Sequence, residues 1–362
     1  MDPLAQIRRE YAQKVCALAG AIFAAALCAC GEPAPPHTGS PADALPPQIS
    51  RLLETGMRPD WSADGRRLLF LDALVGDVFE VDVASRAVRP ITKHFAHRGF
   101  TRARYLASGD ILLCGPREPA AGDRDQGRWT TELWWLGADL ARPAQPLGEP
   151  CFEGPAVSRR SARIAWTRSE YPERVVLGRS EIWTGEIAVE SGAARLVDRR
   201  MLLDRSAFHY LAFLETQDFR PPDERELLFT AYAWKGGEVM GVDLETGEIR
   251  NYSLNWGYDE AEGVFPDGRA IAVEREPGTY TLTPSGRIDI WRTALDGSGD
   301  SARLTHFSDF AGYGANNPAV SPDGRWMAVG LRQLGGPHGN GHGIFLYDLR
   351  YVGSSSQGGL SP

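Results

Sequence analysis

The chain has 362 residues and carries 39 Lys plus Arg against 47 Asp plus Glu, a formal net charge of −8. That acidic balance argues against nucleic acid and anionic lipid headgroups as main partners. Length alone suggests about two domains. Tandem repetition along most of the chain argues instead for one, because repeats bury a shared core between neighbours.

In chain order, residues 1–29 read as an export signal. Arg8, Arg9 and Lys14 form a basic stretch, and Val15 to Ala26 is apolar but shorter than the ~20 residues a bilayer span needs. Arg8–Arg9 lacks the flanking residues of a twin-arginine signal and reads as simple charge. Leu27–Cys28–Ala29–Cys30–Gly31 resembles the lipobox of bacterial lipoproteins. That resemblance implies cleavage before Cys30, which would carry diacylglycerol and palmitate. Gly31, in place of Asp, implies the periplasmic side of the outer membrane. Residues 30–47 are rich in Pro, Ala and Ser and are expected to form a flexible tether.

From residue 48 onward one pattern recurs. Its sharpest form is Asn317 to Val329, NPAVSPDGRWMAV: a short strand, a turn and a second strand. Pro322 pre-sets φ, Asp323 bonds back to the backbone, and Gly324 supplies a positive φ. Five further copies align in register on this turn, at Ser62, Leu106, Ser158, Pro221 and Phe265. Those at Leu106, Ser158 and Pro221 are degenerate. Each copy is followed by a second strand–turn–strand unit, except that the last ends at Ile344 to Tyr347. An orphan strand, Ile49 to Leu53, precedes the first copy. These observations predict an all-β fold, a six-bladed β-propeller of four-stranded antiparallel blades, the last blade completed by the N-terminal strand. The propeller is assigned to 48–350, with 351–362 a disordered tail.

SPDGRWMAV followed by IFLYDL resembles the WD40-like propeller repeat of the TolB-like family. The resemblance covers roughly residues 48–350 and implies a cell-envelope propeller that binds other molecules.

Alternating strand direction places the tight SPDG-type turns on one face. Long connections share the other: 93–100, 115–131, 169–181, 198–218, 253–262, 275–287, 306–316 and 331–343. Loops longer than closure requires are where function concentrates, so the long-loop face and channel mouth are the expected binding surface. Arg58, Arg102 and Arg104, with Asp218, Glu262, Asn316 and Asn317, fall near the starts of innermost strands and are candidate ligand-binding residues. Trp256, Tyr258, Phe307, Phe310 and Tyr313 are candidate aromatic surface. Six histidines (His94, His97, His209, His306, His338 and His342) lie in the long loops. They are a candidate metal set, similar to that of metal-dependent oligogalacturonate lyases, although their spacing matches no closed zinc site. Cys114 and Cys151 are a candidate disulfide pair, since an exported protein permits one.

No G-x-S-x-G elbow, phosphate-binding loop or metalloprotease helix motif appears, and no hydrolase domain of the prolyl oligopeptidase kind is expected. The reading is a non-catalytic, monomeric envelope lipoprotein that recognises a protein, peptide or glycan without a cofactor and meets the membrane only through its lipid. Two alternatives stand beside it: a lyase or hydrolase dependent on a divalent metal held by the loop histidines, and a structural scaffold subunit of an envelope complex.

Overall fold

The computed structural model describes residues 37–118, 124–169, 179–208, 212–232, 236–253, 255–277, 286–335 and 341–352. The signal segment, Cys30, the first part of the tether, His209, His338 and residues 353–362 lie outside the described residues.

The described strands form four separate four-stranded sheets and one larger sheet. The larger sheet divides into two four-stranded antiparallel units, joined by a short parallel bridge at Gly236–Gly257 and Gly237–Tyr258. Each unit starts with an innermost strand: Met57–Trp61, Arg102–Tyr105, Phe152–Val157, Phe213–Phe219, Gly257–Val264 and Tyr313–Val320. Each of these touches the next in order, and the last touches the first, so the chain is a β-propeller. We number the units one to six in that order. The sixth consists of Tyr313–Val320, Trp326–Gln333, Ile344–Asp348 and the N-terminal strand Ile49–Leu53. Ile49 pairs with Tyr347 and Arg51 with Phe345, which sews the ring shut.

The apolar core lies between units rather than within them. One cluster joins Leu69 and Leu71 of the first unit to Leu113 and Leu136 of the second. Another joins Leu112 and Cys114 of the second to Ile164 and Trp166 of the third, and the series continues around to Leu346 of the sixth against Trp61 and Leu68 of the first. Alternation explains this: successive strand residues point to opposite sheet faces, and each face meets a neighbouring unit.

Each of the six tight turns is closed by a backbone hydrogen bond, which spans one residue fewer in the second copy and one more in the fourth than in the others. Ser62 N donates to Arg67 O, Leu106 N to Asp110 O, Ser158 N to Arg163 O, Arg220 N to Glu226 O, Phe265 N to Ala270 O and Ser321 N to Trp326 O, at 2.8–2.9 Å. Gly65, Gly268 and Gly324 take φ of 67–70° there. The fourth copy has no glycine, and Glu224 occupies its place at φ 54°. Its carboxylate accepts from Ser158 Oγ and Arg159 N, so the departure from glycine binds the fourth turn to the third.

Several connections are shorter than the sequence suggests. The stretch 198–218, expected as a loop, is largely strand: Ser180–Glu190 and Ala193–Asp204 form one long hairpin. Ser191 and Gly192 turn it with φ of 53° and 76°. Strands also reach into the expected loops through Arg275–Pro277 and from Tyr313 onward. Of the expected tether, residues 39–47 lie within the same unit as the propeller. A short helical turn forms at Pro41–Asp43, and Ala42 and Leu45 pack on the core of the fifth and sixth units. At the other end Leu349–Tyr351 make another such turn and Val352 joins that core.

Candidate functional site

Five of the six innermost strands carry a register shift against their partners: between Met57 and Asp60, Phe152 and Ala156, Thr216 and Asp218, Ala261 and Val264, and Asn316 and Ala319. Such bulges re-aim side chains. Arg58, Glu153 and Asn317 sit in them with φ of 53°, 58° and 46°, a left-handed conformation that a non-glycine residue adopts at a cost of about 1–3 kcal/mol. The repeated distortion brings a set of buried charges to the ring axis.

Near the tight-turn end the charges close on one another. Asp60 is 1 % exposed. It accepts from Arg159 Nη2 at 2.7 Å, Arg104 Nη1 at 3.2 Å and Tyr105 N at 2.8 Å. Burial opposes its charge, but Arg159 and Arg104 outweigh that and hold the carboxyl below its ordinary range. Asp218, beside the same arginines, is pushed up to about 6 by burial.

Near the long-loop end compensation is incomplete. Arg58 donates to Thr101 O and to Glu153 Oε2, each at 2.6 Å. Burial, then the nearby Arg102, lowers its guanidinium to about 10. Glu153 also pairs with Arg128. Arg102 Nε donates to Glu153 O at 3.3 Å, and its Nη1 stands 4.0 Å from Glu262 Oε2. Gly154 leaves room for it, since a Cβ there would meet Arg102 Cγ at 2.5 Å. Across the axis the fourth and fifth units supply carboxyls. Glu262 Oε1 accepts from Asn317 Nδ2 at 3.2 Å, and Glu274 Oε1 accepts from Asn317 N at 2.6 Å. Glu215 accepts from Tyr232 Oη at 3.0 Å and Gln217 Nε2 at 3.2 Å, and Glu260 accepts from Tyr258 Oη. Burial, then repulsion from Glu260, pushes Glu215 up to about 8. Burial and the neighbouring carboxylates also raise Glu260 and Glu274. The arrangement is polarised: arginines of the first two units face carboxyls of the fourth and fifth, where burial and mutual repulsion favour the protonated form of Glu215, Glu260 and Glu274.

The structure therefore gathers Arg58, Arg102, Glu262 and Asn317 at one layer and Arg104 and Asp218 at the other. Asn316 is not among them; its Oδ1 lies against Gly330. Glu153, Glu215, Glu260 and Glu274 complete the layer without having been singled out in the sequence. Of the aromatic candidates, Tyr258 and Phe307 are buried and Tyr313 packs on the core, while Trp256 is exposed. The described histidines are dispersed. His97 Nε2 pairs with Asp77 at 3.0 Å, His94 meets Arg142 O at 3.4 Å, His306 meets Asp309 at 3.3 Å, and His342 bridges Gly56. Among the described residues no three of His, Cys, Asp and Glu gather at a point that could hold a metal. Cys114 and Cys151 are joined as a disulfide with Cα atoms 6.3 Å apart.

No family model and no curated protein sequence matches the chain. Among solved structures it is similar to a gluconolactonase from Xanthomonas campestris, with 15% identity, TM-score 0.53, and 87% of this chain and 94% of that one covered. It is also similar to TolB from Acinetobacter baumannii, with 17% identity, TM-score 0.43, and 75% and 67% covered. A third likeness is to the β-propeller domain of the trilobed protease from Pyrococcus furiosus, with 12% identity, TM-score 0.45, and 81% and 79% covered. At these identities the likeness concerns fold alone. No helix among the described residues is long and apolar enough to cross a membrane.

Proposed function

We propose that the chain is a non-catalytic, TolB-like envelope lipoprotein, held through Cys30, that recognises a protein, peptide or glycan at the long-loop end of its axis. Counted as blades, the six four-stranded units make a six-bladed ring. The carrying observation is the contrast between the two axial layers. Asp60 accepts directly from both Arg104 and Arg159 at the tight-turn end, whereas at the other end Arg102 meets its nearest carboxylate only at 4.0 Å, and Arg58 Nε and Glu153 Oε1 make no hydrogen bond with the described residues. A buried layer with incompletely paired donors and acceptors gains when an occupant supplies the missing partners.

The test is capture of envelope components by mature chain in which Cys30 is replaced, compared with Arg102→Glu. We expect the partner held by the parent to fall at least tenfold in the variant, because reversing one desolvated charge costs well over the ~1.4 kcal/mol that a tenfold change represents. An unchanged partner list would count against axial recognition. Stoichiometric transition metal in the purified chain would favour the metal-dependent reading instead.

A further inference from the structure

A second concavity lies where the second and third units meet at their long-loop ends. Its volume is about 290 Å³. Trp129, Pro150 and Phe152 form its apolar wall, Cys151 of the disulfide lines it, and Arg117 and Glu132 are its charged groups. We propose that this cleft binds a cationic group on an apolar stem, a lysine or arginine side chain or an alkylamine, with Glu132 as the counter-ion.

Four observations converge on that chemistry. Glu132 is fixed on a strand, its backbone paired with Gly115 and Pro150, and its side chain is 12% exposed. Its buried Oε1 receives no hydrogen bond from the described residues. Arg117 Nε approaches that oxygen only to 3.7 Å, and the Arg117 side chain is 60% exposed, so it can turn out to solvent. The other polar groups are engaged: the Thr131 hydroxyl donates to Cys151 O and the Thr130 hydroxyl to Gly127 O. A carboxylate oxygen that accepts no hydrogen bond, held only by a 3.7 Å ion pair to an exposed guanidinium, favours an N–H donor that carries charge. Burial raises the Glu132 carboxyl, and only Arg117 opposes that.

Size and wall then narrow the class. The volume lies at the lower edge of the ~300–1,000 Å³ typical of sites for drug-sized ligands, so it suits one side chain or a small amine. The wall is held by contacts of its own: Trp129 and Phe152 stack with centroids 5.7 Å apart, and the Arg128 guanidinium lies over the Trp129 ring at 4.6 Å. A polymethylene stem lies well against such a surface, as lysine and arginine stems do elsewhere. None of the charged residues lining the cleft belongs to the axial layers, so the inference does not depend on axial recognition.

The experiment uses the intact mature chain and calorimetric or NMR titration with Nα-acetyl-lysine methylamide, its arginine counterpart, n-butylamine, the Nε-acetylated lysine analogue and N-acetylglutamate. We expect saturable binding of the cationic probes and none of the acetylated analogue, a comparison that needs no variant. Glu132→Gln should weaken binding at least tenfold, and Arg117→Ala should leave it equal or tighter, because the competing guanidinium is gone. Equal affinity for butylamine and the lysine probe marks a small amine as the source; preference for the amino-acid probes marks a basic peptide. Three results would overturn the proposal: no saturation by a cationic probe below about 10 mM, unchanged affinity in E132Q, or N-acetylglutamate binding that is lost in R117A.

Discussion

Glu215 shows what a single buried carboxyl does to the molecule. It is 4% exposed and faces Glu260, so in the folded chain it keeps its proton up to about 8 from an ordinary 4.5. The unfolded chain releases that proton near the ordinary value. Between those values the folded state binds more protons than the unfolded state, so the contribution of Glu215 is most favourable below about 4.5 and falls as pH rises toward 8. We expect Glu215→Gln, which cannot ionise, to flatten this decline in urea-denaturation midpoints measured across that window. Asp60 works in the opposite sense. Arg159 and Arg104 depress it, and its contribution disappears as pH falls through its folded value. The two residues, one at each axial layer, give the ring stability terms of opposite slope.

At the scale of the element, the tight turns are the most informative unit. Gly268 has φ 67°, and a Cβ built on it would meet Pro221 O at 1.8 Å. Gly297 has φ 80° but nothing within 4 Å. Gly268→Ala should therefore destabilise the chain by several kcal/mol, through backbone strain and steric displacement together. Gly297→Ala should cost only the ~1–2 kcal/mol of a left-handed non-glycine residue. Thermal melts of the two variants check the difference. The same contrast explains what could be read from sequence. Copies with Asp and Gly in the turn, as at Asp64–Gly65 and Asp323–Gly324, were plain because the chemistry of a positive φ selects those residues. The turn at Glu224 was traceable only by register, because its positive φ is supported by side-chain bonds to another copy. The hairpin through Asp204 was hidden for a related reason: Asp198, Arg199 and Arg200 show no apolar alternation, and pairing to Ser180–Glu190 sustains the strand. In the site, Arg58 and Arg102 are marked by their place at strand starts, whereas Glu262 and Asn317 lie well inside strands that begin earlier than the sequence suggests, at Gly257 and Tyr313. Glu153, Glu215, Glu260 and Glu274 are not singled out in the sequence. The bulges break strict alternation on the innermost strands, and Glu274 reaches the axis from a second strand, Ala270–Pro277.

On the whole-molecule scale, stability rests on interfaces between units, and the seam at Ile49–Leu53 decides whether the last of these forms. Leu52 is 5% exposed and packs with the cluster that contains Phe70 and Ile344. Leu52→Asp would place an unpaired charge in that seam, and we expect a loss of several kcal/mol with a broadened, less cooperative urea transition. Val88, 47% exposed on the outer strand of the first unit, is the control: Val88→Asp should stay within about 0.5 kcal/mol of the parent.

Ile49 pairs with Tyr347, nearly the full length of the propeller away along the chain. Contacts so distant in sequence form late in folding. They also set how the molecule yields to tension. Residues 39–47 run directly into the strand that fastens the ring, so a pull applied ahead of Ile49 loads the Ile49–Leu53 ladder before any other. Losing that ladder would leave the sixth sheet with three strands and the remaining five units with their own strands paired.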